Sequence, residues 1–216
     1  VVDFSLWDIA RNLLLAARWT LLLSLISFIG GGLVGILILV MRLSKLKGLE
    51  IFCIGFIKLF QGTPLLMQLF LIYFGFALLG IETSPWSSAV IALTLYSSAY
   101  LSEIWRGCID SIPKGQWSAA KSLGLHFIDQ LRFVIGPQAL KISIAPTVGF
   151  MVQAVKATAL TSVIGFIELT KAGTMISNTT FKPFLVFGCV AILYFIICFP
   201  ISWYSKRLEL RLTLAR

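Results

Sequence analysis

The sequence predicts an all-α integral membrane protein, a single domain over residues 1–216 built as about five transmembrane helices with one helix-bearing polar loop. Three observations carry that prediction. The chain is 58% hydrophobic and only 12% charged, with a mean hydropathy of +0.95, which is more apolar than a soluble domain of this size needs. Its apolar runs are roughly 18 to 25 residues long, the length at which a helix rising about 1.5 Å per residue crosses a core of about 30 Å. Barrel strands would be about half as long and would alternate, which these runs do not. Third, the basic residues sort to one side of the spans.

The spans read as Leu13 to Met41, Leu65 to Leu79, Trp86 to Trp105, Pro137 to Val155 and Phe184 to Tyr204. The second is short, and it gains length if it starts near Ile51 with Gly62-Thr63-Pro64 breaking a first helix that lies along the membrane surface. In the first span Gly31 and Gly35 have small-xxx-small spacing, which predicts close helix packing before it predicts a dimer seam. Pro146 and Pro200 fall inside spans and predict kinks that neighbouring helices make tolerable.

With the N-terminus outside, Arg42, Lys45, Lys47, Lys58, Arg106, Lys114, Lys121, Arg132, Lys141, Lys206, Arg207, Arg211 and Arg216 all fall at the cytoplasmic side. Arg11, Arg18, Lys156, Lys171 and Lys182 remain elsewhere. This is the positive-inside pattern, it predicts an odd number of spans with a cytoplasmic C-terminus, and it accounts for the net charge of +9 without nucleic acid. Val1 to Arg18 carries no cleavable signal pattern, so the first span is expected to stay as an anchor. Cys53, Cys108, Cys189 and Cys198 form no CxxC pair, and a single histidine, His126, argues against a metal site or a histidine acid-base centre.

Between the third and fourth spans lies a polar loop, about residues 111–132. Ser111 to Gly115 is turn chemistry, and Gln116 to Arg132 reads as an amphipathic helix with Trp117, Ala120, Leu123, Leu125, Phe127, Ile128 and Leu131 on its apolar side. Ala119 and Ala120 are small, and Gly124 either breaks the helix or admits a close neighbour. Such a helix suits insertion into a groove of another protein; packing on its own bundle is the plainer alternative.

The loop resembles the EAA loop of ABC importer permeases, whose pattern is Glu-Ala-Ala, three residues, Gly, nine residues, Ile, any residue, Leu-Pro. Here it reads Ser118-Ala119-Ala120, Gly124, then Val134-Ile135-Gly136-Pro137, with every spacing kept and Ser118, Val134 and Gly136 departing from the usual residues. Gln61 to Phe70 is similar to that family's RGTPLLVQLF segment. Tyr100 to Gly107, Ile112 to Gln116, Lys156 to Leu160, Ser162 to Gly165 and Glu168 to Gly173 resemble further stretches of its polar amino-acid subfamily.

The resemblance implies a type I, MetI-like fold and the permease subunit of an importer that moves a polar amino acid across a bacterial inner membrane. It implies an ATPase subunit docked on the loop through Trp117, Ser118, Ala119, Ala120, Gly124 and Leu125. It also implies a second permease subunit, identical or paralogous, an external solute-binding protein, surrounding lipid, and ATP with magnesium held by the partner. No cofactor is expected in this chain, which has no GxxxxGK[ST] loop. Ser118 in place of Glu weakens an acidic contact, although a serine hydroxyl near a helix start still caps.

Charged and polar groups within spans are costly and so mark function by default. Glu103 and Arg106, three apart on one face, read as a structural ion pair with gating as the alternative. Gly149, Gln153 and Lys156 share a face of the fourth span, so Lys156 either meets a substrate carboxylate, with Gln153 and Thr158 hydrogen bonding beside it, or snorkels outward. Gln68, Tyr73, Tyr96 and Tyr100 are further path candidates. Ala157 and Ala159 stand where the family often has Asp and Ser, which disfavours cationic substrates. A membrane enzyme lacks its paired acids or nucleophile-base set here, and an ATP-independent channel or scaffold subunit is the remaining alternative.

Overall fold

A computed structural model describes residues 5–44 and 46–214; Lys45 and Arg216, two of the basic residues of the positive-inside pattern, and residues 1–4 of the N-terminal segment lie outside them. The described residues form helices α1 (Leu6–Leu43), α2 (Lys47–Gly62), α3 (Leu65–Leu78), α4 (Pro85–Asp110), α5 (Lys114–Ser122), a short α6 (Phe127–Asp129), α7 (Gly136–Ala157), α8 (Leu169–Thr180) and α9 (Pro183–Leu214). A π-helical turn, Gln130–Ile135, joins α6 to α7, and a 3-10 segment, Thr158–Ile164, extends α7.

Three stretches are long and apolar enough to cross a membrane: Leu6–Leu43, the rod Phe127–Ile164 and Pro183–Arg211. The pair α2 and α3 makes a fourth if taken as one span bent by 104°. The α4 helix, 26 residues long, has the length but not the apolarity. Its Ser88, Ser97, Ser98, Ser102 and Tyr96 are buried. Ser98 and Ser102 donate to the Leu95 and Ala99 carbonyls of α4 itself, Ser88 donates to Thr83 Oγ1, and Tyr96 accepts from Gln153 of α7, so these groups are held inside the protein and not turned to lipid.

Helix starts follow local chemistry. At α1 a capping box forms, with Ser5 Oγ accepting from the Asp8 amide at 3.2 Å and Asp8 Oδ2 accepting from the Ser5 amide at 3.2 Å. Ser84 caps α4 ahead of Pro85 at the first turn. Both α7 and α9 continue through their internal prolines.

The tightest seam joins α1 to α4. A Cβ placed on Gly31 would lie 2.4 Å from Ser97 Cβ, and one on Gly35 would lie 3.2 Å from the Ser98 carbonyl. The Gly31/Gly35 spacing is therefore used inside the chain, where only glycine lets two backbones come so close. Around this seam Leu23, Leu69, Ala92, Leu93 and Leu101 form the main core. A second core joins the first half of α1 to α8 and α9 through Leu13, Ala17, Leu169, Ile176 and Val186.

The helix α2 does not simply lie flat on one surface. It begins beside the end of α1, where Cys53 and Ile57 pack on Ile38, and by its end Gln61 Nε2 reaches the Ala99 carbonyl of α4 at 3.3 Å. Ala99 is roughly 17 Å along α4 from Asp110 at about 1.5 Å per residue, so α2 climbs into the bundle before it breaks.

Candidate functional site

The polar loop folds differently from the single helix expected over Gln116 to Arg132. The α5 helix starts earlier, at Lys114 after Pro113, and stops at Ser122. Gly124 then adopts φ +78°, and the amides of Gly124 and Leu125 bond back to the carbonyls of Lys121 (3.0 Å) and Ala120 (3.3 Å). This is the glycine-ended C-terminus that an L-side chain disfavours. Gly124 breaks the helix, the first of the two roles its sequence allowed.

That break redistributes the faces. Trp117 packs with Ile112, Ile135 and Ala139 and stacks on Phe127 at a centroid distance of 6.2 Å, while Ala120 is buried. These residues fasten α5 to its own bundle. Ser118, Ala119 and Gly124 point outward, and Leu125 is half-buried. Leu123 and Ile128, expected on the packed face, are instead 78% and 74% exposed, because the turn at Gly124 swings them off it. The result is an exposed edge of small and aliphatic groups bordered by Lys121 and His126. Ser118 sits in the middle of α5 and not near its start, so its hydroxyl is too far along the helix to cap it.

Side-chain amides brace the loop against the π turn and the start of α7. Gln130 Nε2 donates to the Leu125 carbonyl (2.8 Å), and Gln138 Nε2 donates to the Val134 carbonyl (2.8 Å) and to Gln116 Oε1 (3.3 Å). Directly after the π turn, a Cβ on Gly136 would meet the Leu131 carbonyl oxygen at 2.4 Å. Glycine at this departure from the EAA pattern is what the bulged carbonyl requires.

Glu103 and Arg106 do pair, with Arg106 Nε donating to Glu103 Oε1 at 2.9 Å. The sequence did not reveal the third member, Arg42 of α1, whose Nη1 donates to Glu103 Oε2 at 2.6 Å. Arg106 also pairs with Asp110. The cluster ties the ends of α1 and α4 together next to the loop.

Deeper in the bundle, the expected strip of polar residues separates. Gln153 Nε2 turns toward α4 and donates to Tyr96 Oη at 3.0 Å. Tyr96 packs on Tyr100 at 4.6 Å, and Tyr100 stacks on Phe150 at 5.8 Å. Gly149 and Lys156 face α9 instead: Ser205 Oγ would lie 3.2 Å from a Cβ placed on Gly149, and Lys156 lines a cleft of about 260 Å³ with Val152, Tyr194, Phe195, Cys198 and Ser202. Gln153 and Lys156 are both exposed on the chain. Cys198 beside Lys156 is roughly 22 Å along α9 from Pro183 at about 1.5 Å per residue, which sets Lys156 beside the middle of α9.

Two path candidates are placed elsewhere. Thr158 is fully buried and donates to the Val155 carbonyl at 2.8 Å, so it is not beside Lys156 on an open face. Gln68 is buried, and its Nε2 lies within 2.9, 3.0 and 2.9 Å of the Phe60 carbonyl, the Thr63 carbonyl and Thr63 Oγ1. It holds the bend between α2 and α3. Its Oε1 is buried with no partner among the described residues.

Glu168 is a further polar centre, the first residue of the Glu168 to Gly173 stretch, and its role is one that the resemblance did not reveal. Fully buried, it caps α8 by accepting from the Thr170 and Lys171 amides at 2.9 and 2.8 Å, and it takes a third bond from Tyr194 Oη at 2.9 Å. Nothing in spacing signals this, since Tyr194 comes from a later helix. Among the described residues no cluster of His, Cys, Asp or Glu is arranged to hold a metal.

Comparison with known proteins identifies the arrangement. Residues 31–214 match the family described as binding-protein-dependent transport system inner membrane component. The chain is 36% identical over 191 residues to a probable amino-acid ABC transporter permease, YckA, of Bacillus subtilis, covering 88% of this chain and 84% of that one. It is 35% identical to the L-cystine transport system permease TcyB of the same organism (98% and 90% covered) and 32% identical to the glutamine transport system permease GlnP of Escherichia coli (96% of each). Among solved structures, an amino acid ABC transporter with histidines superposes with a TM-score of 0.92 at 33% identity, covering 98% and 99%. An inward-facing MetNI methionine transporter shares the fold, with a TM-score of 0.71 at 19% identity, covering 95% and 96%. The chain belongs to this family. It is a multi-pass inner-membrane permease of an ATP-binding cassette importer, a transport component and not an enzyme, and it works with a separate ATPase subunit and a second permease.

Proposed function

We propose that this permease carries a polar amino acid delivered by an external solute-binding protein, with its N-terminus outside and its C-terminus in the cytoplasm. ATP and magnesium are held by the partner ATPase, which docks on the exposed edge formed by Ser118, Ala119, Leu123, Gly124 and Ile128. Lys156 and Gln153 line the path, and Lys156 reads the substrate carboxylate. Tyr100 contributes to the same wall, whereas Thr158 acts only as support.

The observation that carries this reading is the exposed Lys156, with Gln153 one turn before it, beside the middle of α9. A lysine at the centre of a helix in lipid costs about 2.5 to 3.5 kcal/mol on insertion scales. A polar path between two permeases removes that cost, and a carboxylate gives the charge a partner. Among the described residues no acidic group lines the cleft with Lys156, which fits neutral or acidic amino acids better than cationic ones.

The test is Lys156→Met in the assembled complex, which keeps the side chain's length and removes its charge. Uptake should fall by about tenfold or more, the loss of one charged hydrogen bond of about 1.5 to 3 kcal/mol, with complex yield unchanged. Uptake equal to the parent at all substrate concentrations would remove Lys156 from the path.

A further inference from the structure

The break between α2 and α3 presents polar backbone where lipid cannot receive it. Gly62, Thr63 and Pro64 are all exposed, and a Cβ on Gly62 would meet nothing within 4 Å. Two measures place this break inside the hydrocarbon layer. The 14 residues of α3 cover only about 21 Å of a core of about 30 Å, and Gln61 just before the break bonds to Ala99, well within α4.

The carbonyls at the end of α2 divide into two sets. Leu59 accepts from Thr63 Oγ1 at 2.7 Å, and Phe60 and Thr63 accept from the Gln68 amide. Among the described residues no donor reaches the carbonyls of Gln61 and Gly62. A backbone carbonyl left without a donor in hydrocarbon costs several kcal/mol, so irregular backbone at this depth occurs only where protein covers it or where it lines water. Here it is exposed. The carbonyl end of a helix also carries negative potential, which suits a wetted surface and not an apolar one.

We infer that the Gly62-Thr63-Pro64 break is a second, water-facing wall of the translocation path, with the carbonyls of Gln61 and Gly62 turned to that water. The inference rests on the permease reading above but not on the role of Lys156. Gln68 supports this wall from behind, which relocates it from solute contact to holding the break open.

The experiment uses the full transporter in membrane vesicles of both orientations, in a background lacking the four native cysteines. Gly62→Cys is the main probe, with Pro64→Cys as a second variant if the first does not assemble. Leu71→Cys is the comparator, since Leu71 is 71% exposed on the apolar side of α3. A charged methanethiosulfonate should modify the cysteine at 62 or 64 about tenfold or more faster than the one at 71, because the reactive thiolate forms in water and not in hydrocarbon. Equal rates at 62, 64 and 71, or a cysteine that reacts only after denaturation, would overturn the inference. Unreactive 62 and 64 positions together with Lys156-dependent uptake would sink this wall alone. A reactive 62 with Lys156-independent uptake would instead sink the carboxylate reading.

Discussion

Two helix ends lie inside this bundle, and they are finished in opposite ways. At the start of α8, Glu168 is fully buried and satisfies two amides while accepting a third bond from Tyr194. At the end of α2, Gln68 and Thr63 satisfy three carbonyls and leave two on an exposed turn. In a soluble protein both ends would be hydrated and the contrast would mean little. Within a membrane it separates a joint from a lining: the closed end holds helices together, and the open end needs water.

The sharpest way to break this contrast is at the closed end. Glu168→Ala leaves the amides of the half-buried Thr170 and Lys171 without their acceptor and the Tyr194 hydroxyl with Thr170 Oγ1, 3.0 Å away, in place of a carboxylate, at about 1 to 3 kcal/mol for each unsatisfied group. The purified protein should lose well over half of its folded yield, or its thermal midpoint should drop by several degrees. A variant as stable as the parent would mean that the end is not closed at all.

A smaller effect is expected at the open end. Gln68→Leu keeps the bulk and removes the amide that spans the break, at about 1 to 3 kcal/mol. Thermal stability and uptake should fall together, since the break loses its shape. Uptake lost with stability unchanged would instead return Gln68 to direct contact with the solute.

The least effect should come from Arg42→Ala. Its partner Glu103 keeps Arg106, and both side chains of the Arg42–Glu103 pair are partly exposed, so the cost is about 0 to 1 kcal/mol. Stability should hardly move by thermal unfolding. A loss as large as that of Glu168→Ala would show the charge cluster to be a second closed joint.

These features differ in how far the sequence exposes them. The apolar runs of α1 and α9 and the glycine pair Gly31/Gly35 are local patterns, and they read directly as spans and close packing. Gly124 reads as a breaker for the same reason, although its consequence for Leu123 and Ile128 does not, because a face is defined only once the helix end is known. Arg42 and Glu103 are 61 positions apart, and Tyr194 and Glu168 come from different helices, so no spacing rule joins them. The α4 span is harder to place than the others because its buried serines lower its apolarity while they pack it.

The α1–α4 seam has a mechanical consequence. With Gly31 and Gly35 pressed on Ser97 and Ser98, neither helix slides past the other without lifting two backbones apart, so the pair moves as one beam. Only Ser111 to Pro113 separate α4 from α5, and Ile112 among them is buried. A push on α5 therefore has little slack to be lost in. It turns the whole beam, and with it the Tyr96 and Tyr100 rings that α4 carries halfway along its length.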